Sequence, residues 1–131
     1  MILLDTHVWV RWLVPGAPLP STLVDQIEQT EYLFVSAISC WEVTLLEQRG
    51  KLSLPLPISE WIEEATTGSQ VGVIPVSGHI AVAAAQLPEH HRDPADRLII
   101  SSALEHDLTL ASLDSVFPRY EALNDRLIGF P

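Results

Sequence analysis

Ile2-Leu3-Leu4-Asp5-Thr6-His7-Val8-Trp9-Val10-Arg11-Trp12-Leu13 opens the chain, and its reading sets the architecture. Three consecutive apolar residues, Ile2–Leu4, read as a short strand covered on both faces, as strands of parallel sheets are. A helix-like segment follows at once over Thr6–Val14, and Pro15-Gly16 ends it. A strand running directly into a helix is the first half of a βα unit.

The same alternation continues outward. Pro20-Ser21-Thr22 opens a second helix with Leu23, Ile27 and Val24 inward and Asp25, Glu28 and Gln29 outward. Leu33–Ser36 reads as a strand and Ile38–Arg49 as a helix closed by Gly50. Pro57–Thr67 reads as a helix capped by Ser59, with Ile58, Trp61, Ile62 and Ala65 as its apolar stripe. Val71–Val76 is the next strand, and Ser77 caps the Ala-rich helix His79–Leu87. The polar loop Pro88–Arg92 leads into helix Pro94–His106. Leu108–Ala111 is a fourth strand and Leu127–Phe130 a candidate fifth. The expected fold is therefore a single α/β domain over residues 1–131. It has a central parallel sheet of four or five strands with helices on both faces. Right-handed crossovers bring the βα loops to one edge of such a sheet, where open α/β sheets bind ligands.

Four acids stand beside core-forming runs: Asp5, Glu42, Asp96 and Asp114. A carboxylate pressed against a core costs free energy unless something neutralises it. Asp5 and Asp114 fall just past strand ends, and Asp96 lies in the first turn of a helix. Glu42 shares a helix face with Ile38 and Leu45. Each has a bland reading. Asp5 can cap the helix after it, and Asp114 can form an Asx turn in Leu113-Asp114-Ser115. In Asp93-Pro94-Ala95-Asp96, Asp93 fits an N-cap, Pro94 the first helical position and Asp96 a back-bonding third position. Glu42 has no such outlet, because a mid-helix carboxylate on an inward face meets no free backbone donor. With Glu42 in need of a partner, one shared site for all four is the better account, and a hard cation is the simplest neutraliser.

Leu3-Leu4-Asp5-Thr6-His7, Ser36-Ala37-Ile38-Ser39-Cys40-Trp41-Glu42, His90-His91-Arg92-Asp93-Pro94-Ala95-Asp96-Arg97-Leu98-Ile99-Ile100 and Leu110-Ala111-Ser112-Leu113-Asp114 carry a resemblance. Phe117 and Tyr120 follow. In order and spacing these pieces resemble the PIN-domain ribonucleases, and among them the VapC-like toxins of bacterial toxin–antitoxin pairs. The resemblance implies that Asp5, Glu42, Asp96 and Asp114 hold Mg²⁺ or Mn²⁺ and carry the catalysis. Thr6 and Ser36 are then polar support, and Asp93 is either a metal contact or only the cap. It also implies an RNA substrate and an antitoxin whose basic or aromatic tail covers the acidic groove. Such an ion acidifies bound water and neutralises charge developing on a phosphodiester.

Other features set limits. The net charge of −10, from 17 acids against seven Lys and Arg, argues against binding nucleic acid through a generally basic surface. It favours a basic protein partner, with substrate contact left to a local rim of Arg92, Arg97 and Arg49. Arg97 can contact phosphate or pair with the acids; His90-His91-Arg92, just upstream of Asp96, can contact phosphate too but reads first as a solvated loop. The five histidines have no zinc-like spacing. Cys40 is the single cysteine, which suits a reducing cytoplasm. No apolar run approaches the roughly 20 residues of a membrane span. Trp9, Trp12, Trp41 and Trp61 read as core or subunit interface, and the Thr6–Val14 helix is apolar nearly all round, so a homodimer is expected. Two other classes compete. Phosphotransfer enzymes on similar sheets want a second acid near Asp5, where this chain has Thr6 and His7. A catalytically silent acidic module that captures a basic partner would bind metal without cleaving RNA.

Overall fold

The computed structural model describes residues 1–129. Its elements run β1 (Ile2–Leu4), α1 (Thr6–Leu13), α2 (Ser21–Gln29), β2 (Leu33–Ser36), α3 (Ala37–Gln48) and α4 (Ile58–Ala65). They continue through β3 (Val71–Ile74), α5 (Gly78–Gln86), α6 (Pro94–Glu105), β4 (Thr109–Ala111) and β5 (Leu127–Ile128). All strands are parallel, in the order β3-β2-β1-β4-β5.

Alternation along the strands divides the core in two. Leu3 lies in register between Phe34 and Leu110, and these face α5 and α6 through Ile80, Ile99, Ile100 and Ala103. Leu4, in register between Val35 and Ala111, faces the other way onto α1–α4, meeting Val8, Trp9, Leu23 and Trp61. A sheet covered on both sides needs apolar residues at every strand position, which is why Ile2–Leu4 is an unbroken apolar run. Trp9 is fully buried, its indole Nε1–H donating to the Ala65 carbonyl at 3.0 Å, and its ring stands 5.0 Å from that of Trp61.

Several boundaries differ from the sequence reading. Ser59 does not cap α4: Pro57 holds the cap position with φ −52°, and its locked ring starts the helix at Ile58. The helix stops at Ala65, where the Thr66 hydroxyl bonds back to the Ile62 carbonyl at 2.6 Å and a 3₁₀ turn over Thr67–Ser69 follows. β3 ends at Ile74 because Pro75 has no N–H to offer the ladder. The fifth strand is present over Leu127–Ile128, and the Phe130 assigned to it lies outside the described residues. The spare apolar face of α1 is half-covered by the chain's own first core layer, through Val10, Trp12 and Leu13. Trp41 is the tryptophan that does not join a core; it is 56% exposed.

The strand order has a functional consequence. From β1 the chain moves outward to β2 and β3, then returns across the sheet to β4 on the opposite side of β1. The carboxyl ends of β1 and β4 therefore flank a topological switch point, the crevice where open α/β sheets bind ligands.

Candidate functional site

Asp5 stands at that crevice, its backbone N–H continuing the β1–β4 ladder to the Ala111 carbonyl at 3.0 Å. Its carboxylate caps α1 by accepting the Val8 amide at 2.8 Å and is also hydrogen-bonded by Ser112. Burial nevertheless raises its pKa, with these two bonds opposing the shift and the charge of Asp114 adding to it. Capping and site membership are thus compatible in one side chain. Ser112 is fully buried and also accepts the Asp114 amide at 3.0 Å, so it ties the two acids together.

Glu42 reaches the crevice from α3, whose start is set by the Ser36 hydroxyl accepting the Ile38 amide at 3.2 Å. Ser36 is therefore buried as a helix cap. Thr6 lies directly after Asp5 and donates to Glu42 Oε1 at 2.5 Å, with Ser39 Oγ 2.8 Å from its hydroxyl. The Glu42 pKa is raised chiefly by burial and also by the charges of Asp93 and Asp5, against the lowering effect of Thr6.

Asp96 comes from the first turn of α6. The sequence reading of the Asp93 cap holds, since its Oδ1 accepts the Ala95 amide at 2.9 Å with Pro94 next to it. The back-bonding role given to Asp96 does not. The Asp93 amide is directed at His91 Nδ1 at 3.4 Å, which leaves the Asp96 carboxylate for the crevice. There it is pushed up to about 7, first by burial, then by Asp93, with Glu42 and Asp114 adding to the shift and His91 lowering it. Asp114 does form its Asx turn, Oδ1 accepting the Val116 amide at 2.8 Å, and turns Oδ2 toward the crevice.

His91 overturns its assignment to a solvated loop. Its Nε2 lies 2.9 Å from Asp96 Oδ2 and 2.9 Å from Asp114 Oδ2. Its backbone N–H donates to the Tyr120 hydroxyl at 2.9 Å, and its ring stands edge-on to Phe117. Burial disfavours the imidazolium, but its hydrogen bond to the Asp114 carboxylate and the charges of Asp96 and Asp114 outweigh it and raise the pKa. Periodicity could not have found this residue, because a loop has none; the available signal was its place just ahead of the Asp93-Pro94 cap.

Arg97 neither pairs with the acids nor stands ready for phosphate. Its guanidinium donates to the carbonyls of Ala85, Leu87, Pro88 and His91, closing the end of α5 and pinning the loop that carries His91. The expected cationic rim is reduced to exposed Arg92 and Arg49. Arg49 borders a groove of about 370 Å³ beside Glu42, with Trp41 and Asp93.

The four acids influence one another in a closed sequence: Asp5 with Glu42, Glu42 with Asp96, Asp96 with Asp114, and Asp114 with Asp5. Among the described residues no Lys or Arg forms an ion pair with any of them. Donor atoms of His91, Asp96 and Asp114 lie within 4.8 Å of one another. An oxygen-rich, cation-poor and partly buried cluster of this kind fits a divalent ion.

Comparison with known proteins agrees with the fold. The PIN domain family model matches residues 2–123, and the chain belongs to that family. A relative, Ribonuclease VapC22 of Mycobacterium tuberculosis (strain ATCC 25618 / H37Rv), is 32% identical over 114 residues, 86% of each chain. FitAcB from Neisseria gonorrhoeae superposes with a TM-score of 0.67 at 24% identity, covering 98% of this chain and 96% of that one. VapBC2 from Rickettsia felis, solved on a DNA fragment from its promoter, gives 0.69 at 18% identity, with 98% of each chain covered.

Proposed function

We propose that this PIN domain is a divalent-metal-dependent endoribonuclease that acts as the toxin of a toxin–antitoxin pair. The observation that carries the reading is the mutual influence of Asp5, Glu42, Asp96 and Asp114 beside the switch point, with no Lys or Arg ion-paired to them among the described residues. Likeness to a relative named as a VapC ribonuclease supports the choice of RNA.

Asp5 and Asp96 are the principal ligands for Mg²⁺ or Mn²⁺, and Asp114 completes the set. The bound ion supplies an acidified water and neutralises charge on the phosphate. Thr6 holds Glu42 by Oε1, so Oε2 remains to ligate or to accept a proton from the attacking water. Ser112 and the Val8 amide fix the orientation of Asp5. Exposed Arg92 and Arg49 would meet substrate phosphates flanking the scissile bond. The chain acts in the cytoplasm. Its charge of −10 suits capture by an antitoxin with a basic tail.

The purified chain is expected to cleave RNA only with Mg²⁺ or Mn²⁺ present. Asp5→Asn should lower cleavage at least about a hundredfold while circular dichroism shows the wild-type fold. Expression in cells should arrest growth, a small protein encoded beside it should relieve the arrest, and sequencing of new RNA ends would give the target. Undiminished cleavage by Asp5→Asn would remove Asp5 from the mechanism, and a chain inert toward RNA with ions bound would leave only a binding role.

A further inference from the structure

Among the described residues, His91 is the histidine whose ring nitrogen lies within hydrogen-bond distance of the crevice carboxylates, and the surrounding contacts hold it there. Tyr120 bonds its amide, Arg97 bonds its carbonyl, and Phe117 supports the ring edge-on at a centroid distance of 5.8 Å. Those three residues come from the segment after β4 and from α6, so the position of the ring is set by tertiary packing. Nε2 is equidistant, at 2.9 Å, from one oxygen of Asp96 and one of Asp114. Two bonds of about 2.1 Å meeting at a right angle place their donor atoms about 3 Å apart, so each of the two separations suits neighbouring corners of an octahedron. An ion between the two carboxylates would lie within bonding reach of Nε2. The ring must then coordinate it or withdraw.

We propose that His91 coordinates the divalent ion through Nε2, making this a mixed nitrogen–oxygen site that prefers Mn²⁺ to Mg²⁺. The proposal rests on the reading of the crevice as a metal site and deepens it. Mg²⁺ is hard, holds its waters firmly and takes oxygen donors, whereas transition ions accept imidazole readily. Coordination through Nε2 places the imidazole proton on Nδ1. That displaces the Asp93 amide contact, which at 3.4 Å is at the far limit of a hydrogen bond.

The test is electron spin-echo envelope modulation of Mn²⁺ bound to the full chain, with calorimetric titration of Mn²⁺ and Mg²⁺ alongside. Wild type should show ¹⁴N modulation from one imidazole. His91→Ala should bind Mn²⁺ without it, with Mn²⁺ affinity lowered about tenfold or more and Mg²⁺ affinity changed much less. Bound Mn²⁺ with no nitrogen modulation in wild type, or modulation that persists in His91→Ala, overturns the role of His91 while the metal reading stands. Uptake of neither ion by wild type overturns both. If His91→Ala fails to fold, the wild-type spectrum and the Mn²⁺-to-Mg²⁺ affinity ratio still decide.

Discussion

In the proposed function a single carboxyl, that of Asp96, serves both stability and ion capture. Its pKa of about 7, against the ordinary 3.8, means that folding favours its protonated form. The stability it contributes is therefore complete below about pH 4 and is lost as pH rises through 7. Asp5 and Glu42 are raised as well, and so is His91, so all four act in the same direction. Without divalent ions, the denaturation midpoint is expected to fall between pH 5 and 8, and Asp96→Asn should fall less. A divalent ion selects the ionised carboxylates, so its affinity should climb toward pH 7 with release of protons. Calorimetry in buffers of different ionisation enthalpy measures that release, and an ion affinity independent of pH would contradict the assignment.

At the scale of elements, β5 matters more than its length suggests. The Ser112 amide donates to the Ile128 carbonyl at 3.0 Å, so the short edge strand positions the residue that bonds Asp5 and Asp114. Gly129 follows with φ +117°, and a Cβ there would meet the Ser112 carbonyl oxygen at 2.3 Å. No side chain avoids both the strain and the clash. Gly129→Ala should destabilise the chain by about 2 kcal/mol or more and reduce RNA cleavage further than the loss of folded protein explains. Urea denaturation and activity per folded molecule separate the two effects. Wild-type behaviour in both would show that β5 does not control Ser112.

Across the whole molecule, folding gathers negative charge on a chain that already carries −10. Relief of that repulsion by a bound ion appears as stability. At about a hundred times the dissociation constant, the ion should add about 2.7 kcal/mol, removed by chelator and absent in Asp5→Asn. Thermal melts with and without chelator measure it. The homodimer is a proposal at this scale as well. The half-covered α1 face, with Trp12 and Leu13, is where a second copy would bury further apolar surface. Sedimentation equilibrium should then give twice the 14.5 kDa of the chain, and a monomer at all concentrations would remove the dimer.

Local pattern carries the βα order, because hydrophobic periodicity and turn residues act over a few positions. Ile2–Leu4, Leu33–Ser36 and the Asp93-Pro94 cap are legible in that way, and the four acids stand out because each adjoins an apolar run. His91 and Arg97 are not legible in that way. One belongs to a loop whose direction is set by Tyr120 and Phe117, and the other turns to carbonyls at the end of α5. Those partners are distant in sequence or conformationally irregular, so no short-range pattern encodes them. The chain by itself determined which groups could bind a cation. Tertiary structure alone decided which of them meet, since a crevice between β1 and β4 exists only after the chain has crossed the sheet and closed it.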